Sequence, residues 1–233
     1  MPNPVPAGWK IDALVMLRAM SQNEITPESE IAHTAIDPAI LYWGTPVVLL
    51  STLNPDGTPN LAPMSSVFWI GRNAVLGLGL SSHTAQNILR TRECVLNMPS
   101  VDQVGMVDRL ALTTGAREVH PWKLAAGYRY HPEKFELAGA TPVQSDTVGA
   151  PRVREAPVAM EATLIADHIS DLHLLTLQVQ RVHVHEGIRL AGHVNRIDPD
   201  RWRPLIMSFQ KYYGLGEQVL PSRLATIPEE HYR

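Results

Sequence analysis

Apolar and polar positions along this chain alternate mostly with the period of β-strands. The run Pro46-Val47-Val48-Leu49-Leu50-Ser51-Thr52-Leu53 consists largely of β-formers. It stops at Asn54-Pro55-Asp56-Gly57, where proline fixes φ and glycine accepts positive φ. A second strand is predicted over residues 59–70, turned by Gly71-Arg72-Asn73, and a third over 74–80. These three make an antiparallel meander. A helix follows, with Ser81 or Ser82 as its cap and Ala85, Ile88 and Leu89 as its apolar face. Residues 93–98 read as a strand ended by Pro99, and 101–112 and part of 121–127 as helical. Residues 113–157, rich in Gly, Pro, Thr and Ser, read as a long excursion across the mouth of the fold. Two long strands, 157–169 and 172–185, are joined by Ser170-Asp171 as a hairpin. A tail over 202–213 carries the patch Leu205-Ile206-Met207 and four aromatic residues.

Ahead of this core, Leu14, Leu17 and Arg18 give residues 10–21 a helical spacing, and 23–37 are a polar lead-in. The expected organisation is a leader over 1–39, one domain over 40–216 containing the 113–157 excursion, and a tail over 217–233. Many antiparallel strands without βαβ alternation predict a mainly β protein, a barrel with added helices. A dinucleotide-binding α/β domain is disfavoured, because Gly77-Leu78-Gly79 lacks a third glycine in the required place.

Composition narrows the function classes. Twenty Lys plus Arg against 23 Asp plus Glu give a net charge of −3, which argues against a nucleic-acid surface. With 18% charged and 45% hydrophobic residues, the 233-residue chain is not disordered and can bury a full core. Cys94 is the sole cysteine, which excludes an intrachain disulfide and a four-cysteine zinc site. Its alternation with Leu96 and Met98 predicts a buried, inert thiol. No targeting leader and no apolar run long enough to span a bilayer are visible, so a soluble cytoplasmic protein without membrane contact is expected. The ten histidines invite a metal hypothesis, with His183 and His185 on one strand face and His168, His173 and His193 nearby. A third ligand at firm spacing is missing, and no metal site is predicted.

The candidate chemistry lies around the third strand and the helix after it. Gly77, Gly79 and Ser81 share one strand face, nearly bare of side chains, against which a flat ligand or another backbone can lie. The opposite face, Leu76, Leu78 and Leu80, is expected in the core. Ser81-Ser82-His83-Thr84-Ala85-Gln86-Asn87 then enters a helix, whose free N–H groups and dipole suit a phosphate; ordinary capping fits the same residues. The small polar run from Asn60 through Pro63-Met64-Ser65-Ser66 suits hydrogen bonds to a polar ring, or a bulge with proline at a sheet edge. Trp69, Trp122 and Tyr212-Tyr213 are each suited to stacking on a ring or to packing, and Asp108 with Arg109 to a surface ion pair.

These residues resemble a known family. Asn60-x-Ala-Pro-Met-Ser-Ser, Ser81-Ser-x-Thr-x-x-Asn-Ile and Glu93-Cys-Val-Leu-Asn97 are similar, in order and spacing, to the flavin reductase-like family of the FMN-binding split barrel. Lys134-Phe135-Glu-Leu-Ala-Gly139, Pro151-Arg-Val-Arg-Glu155, Asp171-Leu-His173 and the stretch from Pro204 to Gly216 continue the match over roughly residues 40–216. The resemblance implies an antiparallel, Greek-key-like split β-barrel, a homodimer with FMN near its interface, and NADH or NADPH as reductant. Ser81, Ser82, Thr84 and Asn87 would take the phosphate and ribityl chain, with His83 where many members carry a basic residue. Asn60, Pro63, Met64, Ser65 and Ser66 would line the isoalloxazine, and His173 would face the nicotinamide or flavin as the catalytic candidate. Asp171-Leu-His stands where the family has Gly-Asp-His. A titrating His83 would make FMN affinity depend on pH. The implied activity is hydride transfer from NAD(P)H to flavin, with electrons passed to free flavin, oxygen or a partner such as a monooxygenase. An FMN enzyme acting on an organic substrate, or a non-catalytic electron carrier, shares the same residues.

Overall fold

The structure, a computed structural model, describes residues 32–228 and His231. The helix expected over 10–21 lies outside them. Residues 40–233 form one compact unit.

A seven-stranded antiparallel sheet dominates that unit. Its strands are β2 (Val48–Leu53), β3 (Pro59–Met64), β4 (Val67–Ile70), β5 (Asn73–Gly79), β6 (Glu93–Met98), β11 (Val158–Ile169) and β12 (Leu172–Val184), in the order β3-β2-β6-β11-β12-β5-β4. The expected second strand is therefore two strands, broken at Ser65-Ser66, and they form opposite edges of one sheet. This break lets one run of chain turn between the edges. Gly77 N donates to Ser66 O at 2.9 Å across the junction. The result is a split barrel, mainly β with few helices.

Alternation then assigns the two faces. Val48 and Leu50, Ala74 and Leu76, Cys94 and Leu96, Ala162 and Leu164, and Leu175 and Leu177 fill the interior. Cys94 is buried there, and burial raises its thiol far above the usual range, so it is inert. Trp69 also packs on this core. Leu80 departs from expectation: the strand ends at Gly79, and Leu80 is 48% exposed.

Helix α1 (His83–Thr91) follows β5, and its Ile88 is buried in the barrel core. Arg92, in the left-handed region at φ 65°, ends it. The outer face of β2 and β3 carries a second core: Val47, Leu49 and Leu61 meet Met106 and Leu110 of α2 (Val104–Leu110) and Phe135 and Ala138 of α4 (Lys134–Ala138). Arg109 does not pair with Asp108; it donates to the carbonyls of Leu137 and Ala138, joining α2 to the end of α4.

The excursion is only partly a cover for the barrel mouth. It contains β7 (Thr113–Thr114) paired with β8 (Arg129–Tyr130), α3 (Pro121–Ala125), α4, and the pair β9 (Pro142–Val143) with β10 (Arg152–Val153). Its later part is pinned to the barrel's outside. Asn97 Nδ2 donates to Leu49 O at 3.0 Å, and Asn97 Oδ1 accepts from Val153 N at 2.8 Å. Asn97 is fully buried, so its loss leaves polar groups unpaired. Asn97→Leu should lower stability by about 1–3 kcal/mol, read as a lower urea midpoint with unchanged slope.

A small sheet, β1 (Trp43–Pro46), β13 (Leu205–Ser208) and β14 (Lys211–Gly214), completes the unit. Among the described residues no helix is long and apolar enough to cross a membrane.

Candidate functional site

The site assembles at the entrance of α1. Ser82 is the cap: its Oγ accepts from Ala85 N at 3.2 Å. The N–H groups of His83 and Thr84, in the same first turn, have no acceptor within the helix. Capping and an anion-receptive helix end therefore coexist.

Beneath that turn lies a buried polar network. Asn60 Nδ2 donates to Thr52 Oγ1 at 3.2 Å and to Thr84 Oγ1 at 3.3 Å. Asn87 Nδ2 donates to the same Thr52 oxygen at 3.1 Å and to Asn54 Oδ1 at 3.1 Å. His83 Nε2 lies 2.8 Å from Asn54 Oδ1. Asn54 Oδ1 already accepts from Asn87, so Nε2 is the donor. The network fixes both asparagines and the imidazole, and it leaves the Thr84 hydroxyl proton available.

The excursion supplies the other wall, through residues that the sequence reading did not select. Gly115 lies so close that a Cβ would stand 2.6 Å from His83 Cδ2 and 2.7 Å from Asn60 Oδ1. Lys123 Nζ donates to Ser81 O at 3.0 Å, with its ammonium 5.7 Å from the Trp122 ring and 6.0 Å from that of Tyr128. Trp122 itself is exposed. Lys134, at the start of α4, is 2% exposed, and its Nζ has one marginal contact, 3.5 Å from Thr113 O. Burial, reinforced by the charge of Lys123, brings Lys134 down to about 8. Burial also lowers His83, and Lys134, Lys123 and Arg90 add to the effect. His83 is thus neutral at neutral pH, and Lys134 is the group that titrates just above it. Positive charge with hydroxyl and amide donors can hold an anion here.

The residues expected at a ring separate into two sets. Met64 packs against the barrel core and Asn60 joins the inner network, whereas Ser66 Oγ is bonded to Tyr42 OH at 2.7 Å. Pro63 pairs with Leu49 one residue before the end of β3, and Ser65 with Ser66 forms the strand break. An added Cβ at Gly79 would meet nothing within 4 Å, and at Gly77 only Ser66 Cβ at 3.5 Å, so the bare face is real. His173 is buried on β12, paired with Leu78 of β5, and its Nδ1 lies 3.2 Å from Asp167 Oδ1. The carboxylate orients the imidazole.

A separate cluster joins Asp146, Glu161 and His183. Glu161 is fully buried and accepts from Asp146 N at 2.9 Å, Thr147 N at 2.6 Å, the Thr147 hydroxyl, and His183 Nε2 at 2.7 Å. Its oxygens are occupied by donors, and the cluster reads as a fastening for the 146–147 turn.

The profile of the flavin reductase like domain matches residues 42–216. YdfE of Bacillus subtilis, an uncharacterized protein, is 39% identical over 188 residues, covering 79% of this chain and 90% of the relative. Among solved structures, flavoredoxin of Desulfovibrio vulgaris is similar with a TM-score of 0.70 at 23% identity, covering 83% of this chain and 99% of that one. Nitrilotriacetate monooxygenase component B from Bacillus cereus has a TM-score of 0.65 at 22% identity, with 82% and 100% covered. At those identities the two structures speak for the fold. Matched over most of its length by the profile, the chain belongs to the flavin reductase-like family.

Proposed function

We propose that the protein binds FMN with its phosphate at the first turn of α1, and transfers hydride from NADH or NADPH to flavin. One observation carries this reading: hydroxyls, free helix N–H groups and two lysines converge there, and one lysine is buried without a counter-ion among the described residues. A phosphate fits that donor set. FMN supplies the hydride-accepting ring, so no acid–base pair is required of the protein.

The chain's own groups then bind and orient. Ser81, Ser82, His83 and Thr84 present the entrance of α1, while Asn60 and Asn87 hold that turn rigid from beneath. Residues 63–66 and the bare face of Gly77 and Gly79 give a flat ring a place to lie. His173, expected at the nicotinamide or flavin, is paired with Leu78 and held by Asp167 on the opposite face of the sheet from Gly77 and Gly79, because successive strand residues alternate faces, so it is given no role at that ring face. Electrons would leave to free flavin, oxygen or a monooxygenase component.

The outer face beside those glycines exposes Phe68, Ile70, Leu172 and Leu174. Strand pairing of Leu172 with Gly79 and Leu174 with Gly77 makes it one apolar surface next to the ring face. A second copy of the chain covering it would form a homodimer with flavin near the interface. Leu174→Asp should then sediment as a monomer, whereas the parent sediments as a dimer.

One spectrum tests the main reading. The purified protein, supplied with FMN, should show a bound-flavin absorbance that bleaches anaerobically on adding NADH or NADPH. A protein that gains no FMN on titration overturns the proposal. Bound flavin that ignores both nicotinamides would instead make the protein an electron carrier. Thr84→Val, which removes one hydroxyl donor, should weaken FMN binding about tenfold without unfolding the barrel.

A further inference from the structure

The hairpin between β13 and β14 turns on residues ill suited to it. Ser208 pairs with Lys211, so the turn is two residues, Phe209 and Gln210. Both stand in the left-handed region, at φ 46° and 61°. Such a turn favours Asn-Gly, Asp-Gly or Gly-Gly, because a Cβ crowds the backbone at positive φ. Among the described residues no other two consecutive non-glycine residues adopt positive φ. Packing does not repay this strain. Phe209 is 44% exposed, and Trp43, the ring it meets, is 70% exposed. Their centroids lie 4.8 Å apart with the planes at 81°, a single edge-to-face contact open to solvent. Trp43 is itself set by an irregularity: the pairing of β1 with β13 shifts between Trp43 and Thr45, at Gly44 with φ 100°. Backbone strain spent on an exposed aromatic pair points to a ligand and not to the core.

The place of the turn in the fold says which ligand. Phe209 N donates to Tyr42 O at 2.9 Å. Tyr42 OH is bonded to Ser66 Oγ at 2.7 Å, and Ser66 O accepts from Gly77 N at 2.9 Å. Three hydrogen bonds therefore tie the hairpin tip to the first of the two bare glycines, and β1 lies against β4 beside them. Resting on the FMN reading above, we infer that Phe209, braced by Trp43, is a binding residue for the planar ring over Gly77 and Gly79, and that the strained turn presents it. In that reading the ring is the isoalloxazine. The glycine face offers backbone and no side chain, so it gives a ring room but little attraction. An aromatic side chain at its border supplies the missing contact, and this contact does not depend on the phosphate.

Substitutions in the turn separate the ring from the strain. Phe209→Asn removes the ring and installs a residue that tolerates the left-handed region. Phe209→Leu removes the ring but keeps apolar bulk and strain. Gln210→Gly relieves strain and keeps both rings. Parent and variants are titrated with FMN and with riboflavin, which carries the ring without the phosphate, and each is melted without ligand. Phe209→Asn and Phe209→Leu should each lose about 3- to 10-fold in affinity, by the same factor for both flavins. Gln210→Gly should raise the Tm by about 2–4 °C and leave both affinities unchanged. Phe209→Asn should melt no lower than the parent although it binds more weakly. Parent-like affinities in both Phe209 variants overturn the inference, and a lower Tm in Phe209→Asn would then make the ring purely structural. A loss confined to FMN also overturns it, since the contact would lie at the phosphate. A parent that binds neither flavin overturns the FMN reading itself, and the inference with it.

Discussion

Gly115→Val should abolish flavin binding and lower stability by about 1–3 kcal/mol. A Cβ at this position would stand 2.6 Å from His83 Cδ2 and 2.7 Å from Asn60 Oδ1, inside van der Waals contact on both sides. Neither neighbour can retreat freely. His83 is held by Asn54, and Asn60 by Thr52 and Thr84. Relief would have to come from lifting the chain at 115 away from α1, and Lys123 and Lys134 follow it in the same excursion. Gly115→Ala should show a smaller loss in the same direction. A titration with FMN and a urea transition for each variant check both parts. Wild-type FMN affinity in the valine variant would show that this wall is not part of the site.

The second large effect concerns Glu161 and acid. Burial opposes its ionisation, but the hydrogen bonds from Thr147, Asp146 N and His183 outweigh that and hold the carboxyl at about 2, below its ordinary 4.5. The sign follows from linkage. A carboxyl whose folded value is depressed contributes stability that is complete above the unfolded value, and this is lost as pH falls from about 5 toward 2. The size is roughly 3 kcal/mol. Glu161→Gln should lose about 2–4 kcal/mol at pH 7, because an amide nitrogen would face donors that need an acceptor. Urea midpoints between pH 7 and pH 3 should fall steeply for the parent and less for the variant. A parallel fall in both would place the acid sensitivity elsewhere. Flavin affinity should be nearly unchanged, since Glu161 fastens the 146–147 turn and not the α1 entrance.

The β-framework was legible in the sequence because alternation and turn chemistry act locally. Residues 157–169 and 172–185 read as a hairpin, and the structure has strands over Val158–Ile169 and Leu172–Val184. Asn54-Pro55-Asp56-Gly57 marked its turn for the same reason. The break at Ser65-Ser66 was not legible as a break, since two serines after proline do not forbid a continuous strand. Only closure of the barrel requires the bend. Half of the candidate site was also legible: the cap at Ser82, the helix entrance and Asn60 lie near one another in strand-turn-helix logic. The other half comes from Gly115, Lys123 and Lys134, whose placement depends on how a long excursion folds back. One signal was available for Lys134. With Phe135 and Ala138 it forms an i, i+1, i+4 stripe on a short helix whose other members are apolar, and a lysine on such a stripe is out of place.

The strand break at Ser65-Ser66 also bears on how the molecule avoids its own kind. A seven-stranded open sheet has two edges, and each exposed edge is a template on which another chain can add a strand and begin to aggregate. Here both edge strands, β3 and β4, belong to one short run of chain that doubles back on the barrel. The edges are therefore brought together by covalent connection, whatever the concentration of other chains. Proline at positions 59 and 63 removes two backbone donors from β3, which leaves it a poor template. Two serines thus protect the protein in crowded solution, a service distinct from any contact they make with a ligand.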